Sequence, residues 1–258
     1  MLRSMKDMEG YTIGATDGII GQVKDFYFDD DAWVIRYLVV ETGEGPPRRK
    51  VLISPIAIGQ PNWSEKILPV SLTKKQVKTS PDIDTDKPIS RQQEMGYLGY
   101  YGYGNYWGGG GLWGAGLYPD LLQAGLQHDV AQHQHDDPHL RSGNAVMRYY
   151  VHASDGDIGH VQGFLVDEQT WAIRYIIVNT SNWWLGHQVI IAPEWIDDVN
   201  WAECTVSVGL ARQAVKNAPR YEATAPLDRE QEARIHTHYG RSGYWSHEAK
   251  HQSGILRC

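Results

Sequence analysis

The sequence predicts an all-β fold: two tandem small closed β-barrels, each ending in a short helix, with a Gly/Tyr/Trp-rich linker between them and a short helical tail after them. Three observations predict it. Residues 15–81 align with residues 153–219 at a constant offset of 138 without a gap, and about 26 of the 67 paired positions are identical. Asp17-Gly18 and Asp155-Gly156 are hairpin signals, because glycine accepts the positive φ of a tight primed turn. Between such turns the apolar residues alternate with the period of two that a strand requires. The boundaries that follow are a first barrel at 5–82, a linker at 83–145, a second barrel at 146–221 and a tail at 222–258.

Within each copy the elements can be read in order. A strand runs from Ile20 to Phe28, and again from Ile158 to Val166. Val23 and Phe26 are three apart, so burying both requires a bulge near Lys24-Asp25, with Gln162-Gly163 as its counterpart. Asp29-Asp30-Asp31 and Asp167-Glu168-Gln169 turn the chain. In the next strand Trp33, Ile35, Tyr37 and Val39 fall on one face, with Val34, Arg36, Leu38 and Val40 on the other. Copy two repeats this with Trp171, Ile173, Tyr175 and Ile177 against Ala172, Arg174, Ile176 and Val178. Apolar residues on both faces predict a strand covered on both sides. Further strands are expected at Lys50–Ser54 and Lys66–Val70, and at Gln188–Ala192 and Cys204–Val208. Each copy then closes with a short helix, Thr73–Thr79 or Ala211–Asn217. Many short strands joined by tight turns suit a barrel, which removes exposed sheet edges.

The two patterns A-[TS]-D-G-x-I-G-x-V and W-x-I-R-Y-[LI]-[VI]-V, followed by V-[LI]-I-[SA]-P, resemble PRC-barrel domains. That family is named for the cytoplasmic part of the photosynthetic reaction-centre H subunit, and a related barrel closes a ribosome-maturation factor. The resemblance covers residues 8–82 and 146–221 and implies a β-barrel with an adaptor or assembly role in the cytoplasm. It carries over no catalytic residue.

The bulk composition narrows the function classes. The 258-residue chain has a formal net charge of −7, which weighs against a phosphate-backbone partner. Its two cysteines, Cys204 and Cys258, lie outside any CxxC, which points to a reducing compartment. Met1–Gly10 carries charge and no apolar core, so no signal peptide is expected. No apolar run approaches the ~20 residues of a membrane span.

The linker is dense in Gly, Tyr and Trp from Met95 to Tyr118, a composition that predicts no regular helix and no continuous core, with a short helix expected only at Leu121–Gln127. His128, His133, His135 and His139 have ligand chemistry, but their spacing matches no closed zinc motif, so a solvated polar segment is expected and no metal is assigned. In the tail, Pro226–Tyr239 reads as a helix stopped by Gly240.

No nucleophile elbow, P-loop, zinc-protease or dinucleotide signature occurs, so no catalytic residue and no cofactor is assigned. Asp17 and Asp155 are expected to hydrogen-bond backbone in their turns, and the acidic run at 29–31 lacks the ligand spacing of a calcium loop. Cys204 is expected to be a small core residue. Binding candidates remain. Arg36 and Arg174 recur inside apolar strands, where an unpaired charge is costly, so each is expected to meet an internal carboxylate or a bound anion or interface. The hairpin tips differ: Arg48-Arg49-Lys50 in copy one, and Trp183, Trp184 and Leu185 in copy two, an apolar tip suited to a protein partner. The expectation is a non-enzymatic adaptor acting on protein partners. Self-association is compatible with it. Metal binding by the linker histidines and RNA-associated work are the alternatives.

Overall fold

The longer strands form where the two-residue period predicts them, and most of the helices start at a side-chain cap. A computed structural model describes residues 1–43, 48–81, 89–107, 111–114, 116–122, 139–180, 187–223 and 226–246. The first copy opens with β1 (Leu2–Ser4) and a single turn, α1 (Met5–Met8), whose buried Met5 and Met8 enter the core. β2 (Thr12–Ala15) and β3 (Gly18–Asp29) form the Asp-Gly hairpin, with Gly18 at φ +129. β4 (Val34–Thr42), β5 (Arg49–Ile53) and β6 (Ile67–Pro69) follow. α2 (Lys74–Lys78) starts at a Thr73–Gln76 capping box, and α3 (Arg91–Tyr101) starts at a Ser90–Gln93 capping box.

The second copy repeats the order. β7 (Leu140–Ser142) and α4 (Gly143–Val146) precede β8 (Tyr150–Ala153) and β9 (Gly156–Asp167). β10 (Ile173–Asn179), β11 (Gln188–Ile191), β12 (Ile196–Asn200) and β13 (Thr205–Val208) follow, then α5 (Arg212–Lys216) and α6 (Arg229–His238).

These strands do not close into barrels. They form two open mixed sheets, ordered β5-β4-β3-β2-β6 with β7 on β3, and β11-β10-β9-β8-β13-β12 with β1 on β9. The expectation of two closed barrels in an all-β chain is therefore corrected. In the first sheet the terminal strand β6 has only three residues and joins β2 in parallel. Beside β5 lies a helix, not a further strand: the Tyr97 hydroxyl of α3 donates to the Leu52 carbonyl. A side chain thus satisfies a backbone acceptor that barrel closure would have paired.

Each copy's first strand joins the other copy's sheet. β7 pairs antiparallel with β3 through Tyr27–Ser142, Phe28–Arg141 and Asp29–Leu140, and β1 pairs with β9. The tripeptides are identical, Leu2-Arg3-Ser4 and Leu140-Arg141-Ser142, again 138 apart. The repeat therefore begins earlier than residue 15.

The chain divides into two compact units. One comprises Met1–Leu2, Arg148–Gly163 and Tyr175–Cys258; the other comprises Arg3–Met147 and Phe164–Arg174. The second of these holds a turn of the second copy. Inside it, the Ile35 N–H donates to the Trp171 carbonyl (2.9 Å) and the Ile173 N–H to the Trp33 carbonyl (2.7 Å). Its core is centred on β4, where every residue from Val34 to Val40 is buried. Among the described residues no helix is long and apolar enough to cross a membrane.

Candidate functional site

The ionisable side chains gather in two buried clusters, one per copy, each beneath a capped helix. In the first, α3 projects Glu94 inward, 1% exposed. Its Oε1 accepts from the Tyr37 hydroxyl of β4 (3.1 Å) and from the Tyr106 hydroxyl. Its Oε2 accepts from Arg91 (3.3 Å) and faces His139 Nε2 at 3.0 Å. Arg91 also lies over the Trp107 ring, 4.4 Å from its centroid. Burial, then the negative charge of Glu94, raises the hydroxyls of Tyr37 and Tyr106 well above the ordinary phenol range, so both stay protonated donors.

Arg36 joins this cluster because β4 is bulged. Tyr27 pairs with Tyr37 and Phe28 with Ile35, which leaves Arg36 as the extra residue. A bulge re-aims side chains, so strict alternation does not separate Arg36 from Tyr37. The Arg36 guanidinium stacks on Tyr106 (3.9 Å to the centroid) and approaches Trp113 (4.8 Å). It donates to the Leu112 carbonyl (2.6 Å) and to Asp29 Oδ2 (3.4 Å). Asp29 Oδ1 in turn accepts the N–H groups of Asp31 and Ala32.

The second copy builds the same constellation from residues 138 further on. Glu232 Oε2 accepts from the hydroxyls of Tyr175 and Tyr244, both at 3.0 Å. Arg229 meets Glu232 Oε1 at 3.3 Å and lies over Tyr244 and Trp245, 5.0 and 4.5 Å from the centroids. Here the histidine comes from the helix itself. His236 Nε2 lies 2.9 Å from the Tyr175 hydroxyl and Nδ1 lies 3.0 Å from the Ser242 carbonyl, with the ring held between Trp195 and Trp245. Desolvation lowers the His236 pKa, which favours the neutral ring; with Nδ1–H donating to Ser242, Nε2 is an acceptor and competes with Glu232 Oε2 for the single Tyr175 hydroxyl proton.

Sequence reasoning missed these clusters although a signal was present. Arg91-x-Gln93-Glu94 and Tyr101-Gly102-x-x-x-Tyr106-Trp107 recur as Arg229-x-Gln231-Glu232 and Tyr239-Gly240-x-x-x-Tyr244-Trp245 at the same offset. The glycine-dense composition masked the first instance. The expectation that this stretch forms neither helix nor core is corrected: α3 forms, Gly102 ends it in the left-handed conformation, and Tyr97, Leu98, Tyr106 and Trp113 are buried.

Other expected positions are placed as follows. Arg174 is buried, with NH2 3.3 Å from Thr170 Oγ1 and 3.9 Å from Asp167 Oδ2. Trp183, Trp184 and Leu185 lie outside the described residues, as do His128, His133 and His135. Asp17 and Asp155 accept backbone N–H groups at the starts of α2 and α5, from Lys74 (2.8 Å) and Arg212 (2.7 Å). Cys204 is exposed and left-handed (φ 56) in the turn before β13, which corrects its expected core position. The carboxylates of Asp29, Asp30 and Asp31 lie within 4.8 Å of one another, but Asp29 is engaged with Arg36 and Asp30 with Arg141 (2.6 Å). No family model matches the chain, and no curated protein matches it.

Proposed function

We propose that the protein is a non-enzymatic binding or assembly module that acts in the cytoplasm through protein–protein contacts. The observation that carries this reading is the duplication of the Tyr–Glu–Arg–Tyr–Trp cluster. In both copies a buried glutamate, its tyrosine partners and an arginine nearer the surface fasten a helix to a sheet. Such a cluster stabilises a shape, and the surface that differs between the copies then carries recognition. The hairpin tips differ most, Glu44-Gly45-Pro46-Pro47-Arg48-Arg49 against Asn182-Trp183-Trp184-Leu185-Gly186-His187. The twice-repeated pattern that resembles PRC-barrel domains supports the same reading.

The test is crosslinked capture from the native cell, comparing the intact chain with a Trp183→Ser, Trp184→Ser variant. Specific partners recovered with the intact chain and lost with the variant are expected. An identical set of partners removes the aromatic tip as the recognition surface.

A further inference from the structure

The outward face of the β8–β9 hairpin differs between the copies although its backbone register does not. In copy two Tyr150 pairs with His160 and His152 with Asp157; in copy one Thr12 pairs with Gln22 and Gly14 with Ile19, each 138 residues earlier. Val151, Ala153, Ile158 and Val161 are buried, so Tyr150, His152, Asp157 and His160 share the face turned away from the core. Copy two therefore carries three residues of ligand chemistry where copy one has Gly14, Ile19 and Gln22.

His152 and Asp157 are already joined, Nδ1 to Oδ1 at 2.6 Å. An ionised carboxylate only accepts, so in the neutral ring Nδ1 carries the proton and the Nε2 lone pair is left for a ligand. Metal-bound imidazoles use this same support: the carboxylate fixes the tautomer, orients the ring and raises its basicity. His160 stands on the neighbouring strand, diagonal to His152, because its own partner Tyr150 lies two residues back. Diagonal side chains on one face have Cβ atoms about 7–8 Å apart, which two imidazoles can bridge through an ion about 2.0–2.1 Å from each nitrogen. Two imidazoles with water completing the sphere suit a divalent first-row ion, and Cu(II) is bound tightest in that series. We propose that His152 and His160 form a two-histidine chelate for such an ion, with Asp157 positioning His152, on a face that copy one has built without ligands.

A Cu(II) titration of the full chain tests this, in a His128→Ala, His133→Ala, His135→Ala background so that the histidine-rich linker does not compete. The NMR signals of the His152 and His160 rings are expected to broaden together at the first sub-stoichiometric additions, ahead of the remaining histidines. His152→Ala, and His160→Gln, which installs the copy-one residue, should each weaken binding roughly tenfold or more, because the second imidazole of a chelate acts at high effective concentration. Asp157→Asn should weaken it roughly tenfold with an unchanged amide spectrum, an effect that a surface ion pair without a ligand role would not produce. Broadening of one ring without the other overturns the proposal. So does a folded His160→Gln variant that binds Cu(II) as tightly as the parent, and parental affinity in Asp157→Asn removes the positioning role of that carboxylate.

Discussion

At the scale of single residues, Glu94 and Glu232 organise their surroundings. Replacing a buried carboxylate that accepts from two phenol hydroxyls and an arginine leaves those donors without their acceptor. Glu94→Gln and Glu232→Gln are each expected to lower unfolding free energy by about 1–3 kcal/mol, read from urea midpoints. Tyr37→Phe removes one donor and should cost about 1 kcal/mol. His236 adds a pH dependence. Its folded pKa lies below its ordinary 6.5, so the unfolded chain binds the proton more readily. Its stabilising contribution is therefore complete above about pH 6.5 and is lost as pH falls from there through the depressed folded value. Copy one has Leu98 at the matching position, so His236→Leu should flatten the melting temperature across that window. Thermal melts of both proteins from pH 7.5 to 5 check this; equal slopes would show that the ring does not contribute. The value of Arg36 was legible only in part. Its burial among apolar neighbours announced a partner, but its place beside Tyr37 depends on a bulge that alternation alone does not encode.

At the scale of elements, the longer strands and the short closing helices were largely legible because they depend on local chemistry. β3 and β4 fall where alternation and the Asp-Gly turn place them, α2 lies within the range read as a helix, and the bulge between Val23 and Asp25 lies where two buried residues three apart demanded it. α3 was not legible because its helix-breaking glycines outweigh its own residues in any reading by composition. The capping box and the burial of Tyr97 and Leu98 override that propensity. Ser90→Ala is accordingly expected to cost about 1 kcal/mol. One glycine pair sets a sharper limit. A Cβ on Gly21 would lie 2.0 Å from the Glu41 carbonyl oxygen, and one on Gly159 would lie 2.0 Å from that of Asn179, both rigid backbone of the adjacent strand. Gly21→Ala should therefore destabilise by about 1–3 kcal/mol or more, with hydrogen exchange rising along the β3–β4 pair. Native-like exchange there would refute the close approach.

At the scale of the whole molecule, the duplication was plain but its reach was not. The sequence reading made each copy a closed barrel of its own strands, whereas the sheets are open and each takes a strand from the other copy. Pairing across a separation of more than a hundred residues leaves no local mark beyond the repeated Leu-Arg-Ser. A fragment ending at residue 122 would lack β7 on β3, and also the segment Phe164–Arg174 that belongs to the same compact unit. It should show no cooperative thermal transition; a sharp one would mean that these borrowed pieces are dispensable. The reciprocal loan of first strands has a further consequence. Because what each half lacks is carried by its sibling, the peptide connection itself is not what joins them. Two separately expressed polypeptides, divided within 123–138, should reassemble on mixing into a one-to-one complex, as a homodimer does when its genes have not yet been fused.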